Sequence, residues 1–326
     1  MEHPGDLSDS IDDFVSTLTA GDFLSRVYHH EHRVFPGAAE QIRGVFGWDD
    51  LNEILETHQL RSPQMRLSRD GRQLPEASYL EARAARRGRR RVRVDPVRLR
   101  AALGAGHTLA MRYVDEIHPG LSRLSEAFER RLLSDFEFNL YASWAPTGGF
   151  NAHWDNHDVF AIQLQGRKRW RIFGRNEFSM HPRDSAMGTP PAETVDDLVL
   201  SPGDVLFLPR GYWHDPVTEE GPSLHITGSV PCTTGLDLVH WLVEGLREDE
   251  AMCAELLRFG DPEGPREVLR KVRERLNGAF EQEDLLKSFF AARDGAQFGR
   301  FRLGLPDVGP APGASGGPPA GTGRSS

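Results

Sequence analysis

Apolar and polar positions along this 326-residue chain follow three different rhythms. The first third is helical in spacing. Residues 1–10 are polar and predict a flexible N-terminus, after which Ile11 to Leu24 alternates apolar and acidic positions as a helix does. Phe23-Leu24 with Val27-Tyr28 marks a second, short amphipathic helix. Trp48 to Thr57 predicts a helix with Asp49 or Asp50 near its N-terminus, where a carboxylate meets unpaired amide groups. Gln64 to Leu67 reads as a short strand ending at an Asp70-Gly71 turn.

From Phe136 the period falls to two. Phe138, Leu140 and Ala142 alternate with Asn139, Tyr141 and Ser143, and Val159 to Leu164 is an apolar run turned by Gly166-Arg167 into Lys168 to Phe173. Pro202-Gly203-Asp204 feeds Val205 to Leu208, and Leu224 to Val230 is a further strand. Short strands at this spacing predict a mainly β core of jelly-roll or barrel type rather than an α/β sheet. After Thr234 the period returns to three and four, with helices expected over Leu236 to Phe259, Arg266 to Phe280 and Glu283 to Ala292. The Gly, Pro and Ser-rich segment 306–326 predicts a disordered tail.

Composition narrows the function classes. No segment is long and apolar enough to span a membrane, and the N-terminus lacks the apolar region of a signal peptide. Cys232 and Cys253 form no CxxC pair and no disulfide framework, so a reducing cytoplasm is the expected setting. A formal net charge of −9 argues against direct nucleic-acid binding as the general role. Seven arginines crowd Arg83 to Arg93, which predicts a solvated, partly disordered surface segment, with a docking patch for an acidic partner or RNA as the sharper alternative.

The candidate chemistry lies in His153-Trp154-Asp155 and in the later Pro209-Arg210-Gly211-Tyr212-Trp213-His214. On an extended strand, residues two apart project to one face, so His153 and Asp155 can offer an imidazole and a carboxylate to one ion. Two histidines and one carboxylate make the facial set of non-haem Fe(II) oxygenases, which leaves coordination positions open for a cosubstrate and O2. His214, placed where a strand ends and a turn begins, is the preferred third ligand. His225 is its rival, and His157 and Asp158 compete with the first pair. Lys168 shares a strand face with Trp170 and Ile172, where an ammonium must either reach solvent or meet an anion. Asn139 and Tyr141 on one strand, and Thr227 and Ser229 on another, are polar groups that could hydrogen-bond a carboxylate or an amide.

The runs Asn139 to Tyr141, Phe150 to Phe160, Gln163 to Trp170 and Pro202 to His214 together resemble the cupin-like JmjC family, whose best-known members are ribosomal oxygenases that hydroxylate arginine or histidine side chains of ribosomal proteins. The resemblance implies a double-stranded β-helix carrying Fe(II) on His153, Asp155 and His214. It also implies 2-oxoglutarate held at its distal carboxylate by Lys168, with Asn139 and Tyr141 lining the pocket and Thr227 or Ser229 assisting. By this reading residues 1–10 are a flexible leader, 11–234 the catalytic domain, 235–305 a helical dimerisation region and 306–326 the tail. The segment from Glu283 to Leu305 leaves room for no more than a reduced form of the winged-helix domain that usually follows.

The function expected is an Fe(II)- and 2-oxoglutarate-dependent dioxygenase that uses O2 to hydroxylate a side chain of a protein or peptide, with a ribosomal protein as one candidate partner and a homodimer as the assembly. Three alternatives stand beside it: a tailoring oxygenase of a peptide natural product, a metal-binding cupin that does not use 2-oxoglutarate, and a non-catalytic scaffold.

Overall fold

The computed structural model describes residues 4–84, 90–146, 148–176, 189–295 and 300. The tail 306–326 and the centre of the arginine run, 85–89, lie outside them. The chain opens with helix α1 (Pro4–Leu18), so most of the segment expected to be flexible is helical, and the helix stops short of Leu24. Gly21, with φ of 64°, follows it, and a separate helical turn spans Phe23–Val27. Next come β1 (Arg33–Phe35), α2 (Trp48–Thr57), β2 (Met65–Arg69) and β3 (Arg72–Gln73). At the start of α2 the Asp50 carboxylate accepts from Gly47 N–H at 2.7 Å, a capping contact that fixes the expected helix start.

The outer parts of the arginine run are ordered as strands, not as loose surface: β4 (Leu80–Ala84) and β5 (Arg90–Val94) pair antiparallel. They are followed by α3 (Pro96–Gly104), β6 (Thr108–Met111) and α4 (Pro119–Leu132), helices with Pro at their first turns. The remaining strands are β7 (Glu137–Ser143), β8 (His157–Gln165), β9 (Lys168–Arg175), β10 (Asp196–Leu200), β11 (Val205–Leu208), β12 (Tyr212–Thr218) and β13 (Ser223–Pro231).

Pairing gives an eight-stranded antiparallel sheet in the order β1-β11-β8-β13-β7-β6-β2-β3 and a three-stranded sheet β10-β9-β12. The alternation of side chains explains why β8 and β11 read as continuous apolar runs, since both of their faces are buried. Phe160, Ile162, Val205 and Phe207 point to the helical side, where they meet Phe23, Phe128, Phe138 and Leu140. Val159, Ala161, Leu206 and Leu208 point to the smaller sheet, against Trp170, Ile172 and Leu200. Burying each of the Val, Leu, Ile and Phe side chains contributes about 1.5–3 kcal/mol. The large sheet is therefore a middle layer, helices on one face and the small sheet on the other.

Three C-terminal helices follow, α5 (Gly235–Gly245), α6 (Glu263–Phe280) and α7 (Leu285–Asp294). The first ends well before the expected Phe259, and Leu246 to Pro262 is irregular. Asp249 diverts this stretch: its carboxylate accepts from Ala251 N–H at 2.9 Å and pairs with Arg275 at 3.0 Å. Leu242, Ala279 and Leu285 form a small core of their own, separate from that of the sheets.

Candidate active site

A cavity of about 710 Å³ opens between the two sheets, lined by residues of β2, β6, β7, β8, β9, β12 and β13. Its chemistry begins with His153, Asp155 and His214, whose ligand atoms lie within 4.8 Å of one another. The segment carrying His153 and Asp155 is extended but not part of a regular strand. It is tied down by a single bridge to His214 and by a hydrogen bond from Gly211 N–H to Asp155 O at 2.9 Å. His214 lies inside β12 rather than at a strand end, beside a register shift between Trp213 and His214 against β9. A bulge of this kind re-aims the side chain that follows it.

Both imidazoles are oriented by the main chain. His153 Nδ1 lies 2.9 Å from Asn151 O, and His214 Nδ1 lies 2.9 Å from Tyr212 O. A carbonyl can only accept, so each Nδ1 carries the proton and each Nε2 keeps a free lone pair. His214 Nε2 faces Asp155 Oδ2 at 3.5 Å. Burial, and then the adjacent His153, push the His214 pKa down to about 4, which leaves it neutral near pH 7. Burial pushes the Asp155 carboxyl up, but His157, His153 and His214 outweigh it and hold the carboxyl below its ordinary value. Two imidazole nitrogens and one carboxylate are a donor set suited to a divalent first-row metal.

Deeper in the cavity sits Lys168, 3% exposed, at the first position of β9 after the Gly166 turn. Its Nζ lies 3.3 Å from His225 Nδ1, and no carboxylate of a described residue pairs with it. Burial lowers its pKa to about 7. Trp170 Nε1 and Asn139 Oδ1 are buried without a hydrogen-bond partner. A buried ammonium and an unpaired indole N–H are costly unless an anion meets them, so the residues present fit a carboxylate-bearing ligand.

His225, the rival ligand, stands apart from the triad. It stacks on Tyr141 with ring centroids 5.0 Å apart, on β13 where the register against β8 shifts. Tyr141 hydrogen-bonds Thr227, and Asn139 Nδ2 reaches Ser229 Oγ at 3.5 Å, so the four polar residues of β7 and β13 form one wall. His157 lines the cavity at the start of β8, outside the triad, while Asp158 points to the opposite face. Sequence reasoning missed Glu137, Arg66 and Arg112 on the cavity wall. Glu137 continues the alternation of Asn139 and Tyr141 by one step and was accessible to the same argument. Arg66, whose guanidinium lies over Phe150 at 4.9 Å, reaches the site through pairing of distant strands and left no local signal.

Residues 116–238 match the JmjC domain. Ribosomal oxygenase 2 of Rattus norvegicus is 35% identical over 176 residues, covering 49% of this chain and 36% of that protein. The bifunctional lysine-specific demethylase and histidyl-hydroxylase NO66 of Drosophila persimilis is 40% identical over 93 residues, 27% of this chain and 13% of that protein. The chain thus spans little more than a third of the length of these curated relatives, or less. Among solved structures, the ribosomal oxygenase YcfD of Escherichia coli superposes with a TM-score of 0.53 at 22% identity, covering 89% of this chain and 73% of that one. A YcfD structure in complex with cobalt and 2-oxoglutarate superposes with a TM-score of 0.51 at 20% identity. These structural likenesses are likenesses of fold.

Proposed function

We propose that this chain, whose residues 116–238 match the JmjC domain, is an Fe(II)- and 2-oxoglutarate-dependent dioxygenase that hydroxylates a side chain of a protein or peptide. The observation that carries the reading is the pairing of a two-histidine, one-carboxylate cluster with a buried lysine in one cavity, a lysine that meets no carboxylate of a described residue. His153, Asp155 and His214 would hold the metal, and Lys168 would hold the distal carboxylate of 2-oxoglutarate. Bound iron and 2-oxoglutarate, together with O2, supply an oxidant strong enough to break an unactivated C–H bond.

The protein's own part is placement. The main-chain carbonyls of Asn151 and Tyr212 keep both imidazoles in the tautomer that presents Nε2. Trp170 packs on His214 with ring centroids 5.7 Å apart and walls that ligand from solvent. Asn139, Tyr141, Thr227 and Ser229 supply donors and acceptors along the cosubstrate wall. Arg66, Arg112 and Glu137 present charge where a substrate side chain enters.

Three finer readings go with this one. The substrate is a ribosomal protein, a reading supported by the names of the relatives in both comparisons. Residues 11–234 act as the catalytic unit and 235–305 pair two copies, a reading supported by the exposed Leu256, Leu257, Phe259 and Leu269 of the helical region. The setting is the cytoplasm, in keeping with the free thiols of Cys232 and Cys253; among the described residues no helix is long and apolar enough to cross a membrane.

Anaerobic addition of Fe(II) and 2-oxoglutarate to the purified protein tests the function. A visible metal-to-ligand charge-transfer band is expected, absent in His153→Ala and weakened in Lys168→Ala. Tight metal binding without that band would replace the proposal with a cupin chemistry that does not use 2-oxoglutarate. Light scattering across a concentration series reads the dimer.

A further inference from the structure

On the face of β8 opposite the cavity, three side chains from distant parts of the chain converge. His29 follows the helical turn Phe23–Val27, Asp158 sits near the start of β8, and Cys232 follows the end of β13. The His29 Nδ1, Asp158 Oδ2 and Cys232 Sγ atoms lie within 4.8 Å of one another, and Sγ is 3.9 Å from Nδ1. Ligand pairs around a tetrahedral zinc ion stand about 3.3–3.6 Å apart, so modest side-chain adjustment brings all three onto one centre.

Two further features mark the cluster. Asp158 is wholly buried; its Oδ1 accepts from Arg210 N–H at 2.7 Å, and its Oδ2 pairs with His29 Nδ1. A wholly buried carboxylate has to be met by a cation, a part that the His29 imidazolium fills and that a metal ion bound between the same atoms would take over. His29 also adopts φ of 66°, a left-handed conformation that a non-glycine residue rarely holds without a local reason. His29 is the exposed member of the three, so an ion can enter from solvent.

We propose that His29, Asp158 and Cys232 form a second metal site, selective for zinc or a similar late first-row divalent ion, with a fourth position left to water. Imidazole, carboxylate and thiolate are the donor types that zinc takes, and the thiolate distinguishes this site from the all-nitrogen-and-oxygen triad in the cavity. Binding releases the thiol proton and the imidazolium proton to solvent. The ion would tie the N-terminal helical layer to the β8–β13 pair, three residues from Asp155.

Cobalt(II) titration of the full-length protein provides the test, because only a thiolate ligand gives the intense near-ultraviolet sulfur-to-cobalt absorption. The expected result is that band, saturating by two equivalents because the cavity triad also takes cobalt, retained in His153→Ala and Cys253→Ser and abolished in Cys232→Ser. His29→Ala should weaken cobalt binding at this site at least tenfold. Zinc added to cobalt-loaded wild type should remove the band stoichiometrically, a readout that needs no variant. Absence of the band in folded wild type, its survival in Cys232→Ser, or its failure to yield to zinc would overturn the site. None of these outcomes depends on turnover or on 2-oxoglutarate, so the proposed function stands or falls separately.

Discussion

His153 and His214 exchange both of their backbone hydrogen bonds, His153 N–H to His214 O at 3.1 Å and His214 N–H to His153 O at 2.8 Å. The two imidazoles are thus spaced by main chain rather than by side-chain packing, and their rings lie 4.4 Å apart by centroid. Removing one imidazole should leave the bridge intact. His214→Ala is expected to lose metal affinity by more than the roughly 10–100-fold attached to outer partners of a ligand. Its thermal midpoint without metal should stay within a few degrees of wild type. Calorimetric metal titration beside a melt checks both, and a collapsed fold would place the ring, not the bridge, at the centre of this region's stability.

Under the proposed function, Lys168 should make 2-oxoglutarate binding pH-dependent. Its ligand-free pKa, lowered by burial to about 7, lies below the 10.5 of an exposed lysine. A dicarboxylate binds the charged form, so above pH 7 the protein must take up a proton to bind it. Affinity for 2-oxoglutarate should then fall by up to about tenfold per pH unit above 7. Stability of the ligand-free protein moves the other way. The unfolded lysine holds its proton between pH 7 and 10.5 while the folded one does not, so this group adds stability as pH rises through that window. Lys168→Arg, which keeps its charge, should flatten the binding profile; an unchanged slope would remove Lys168 as the titrating group.

Gly166 makes the turn that delivers Lys168. Its φ is 69°, and a Cβ there would stand 2.2 Å from the carbonyl oxygen of Pro222, a backbone atom that cannot swing aside. Gly166→Ala should cost more than the roughly 1–2 kcal/mol of a left-handed alanine alone. A urea midpoint shift reads this cost, and a shift under half that amount would mean the β13 edge yields easily.

Arg300 joins the end of the described chain to the β7 side of the fold. Its Nη2 lies 2.6 Å from Asp115 Oδ2, 3.1 Å from Glu129 Oε1 and 2.9 Å from Phe136 O. Asp115 is buried, and its other oxygen accepts from Phe138 N–H at 2.7 Å. Arg300→Ala strands two partly or wholly buried carboxylates and should destabilise by about 2–4 kcal/mol, read by thermal melting at pH 7. A neutral result would show that water replaces the guanidinium.

The sequence made β8, β9, β11 and β13 legible because their side chains alternate between two buried faces, or between a core and a cavity wall. It also marked His153, Asp155 and Lys168, whose types are unusual in such surroundings. Other features depend on partners far along the chain. The bridge that draws His214 inside β12 and the antiparallel partner that orders Arg90 to Val94 leave no trace in a short window. The same holds for the placement of Arg66 beside the cavity. The early end of α5 was hidden by apolar residues such as Leu256 and Phe259, which kept a helical period without a surface to bury against.

The carbonyls that fix both imidazole tautomers belong to Asn151 and Tyr212, so the feature is indifferent to which side chains those positions carry. Drift at 151, which lines the cavity, can recontour its wall while each Nε2 still faces inward. A scaffold built this way separates the inheritance of its reactive centre from the inheritance of its selectivity, and new substrates can be explored without rebuilding the chemistry.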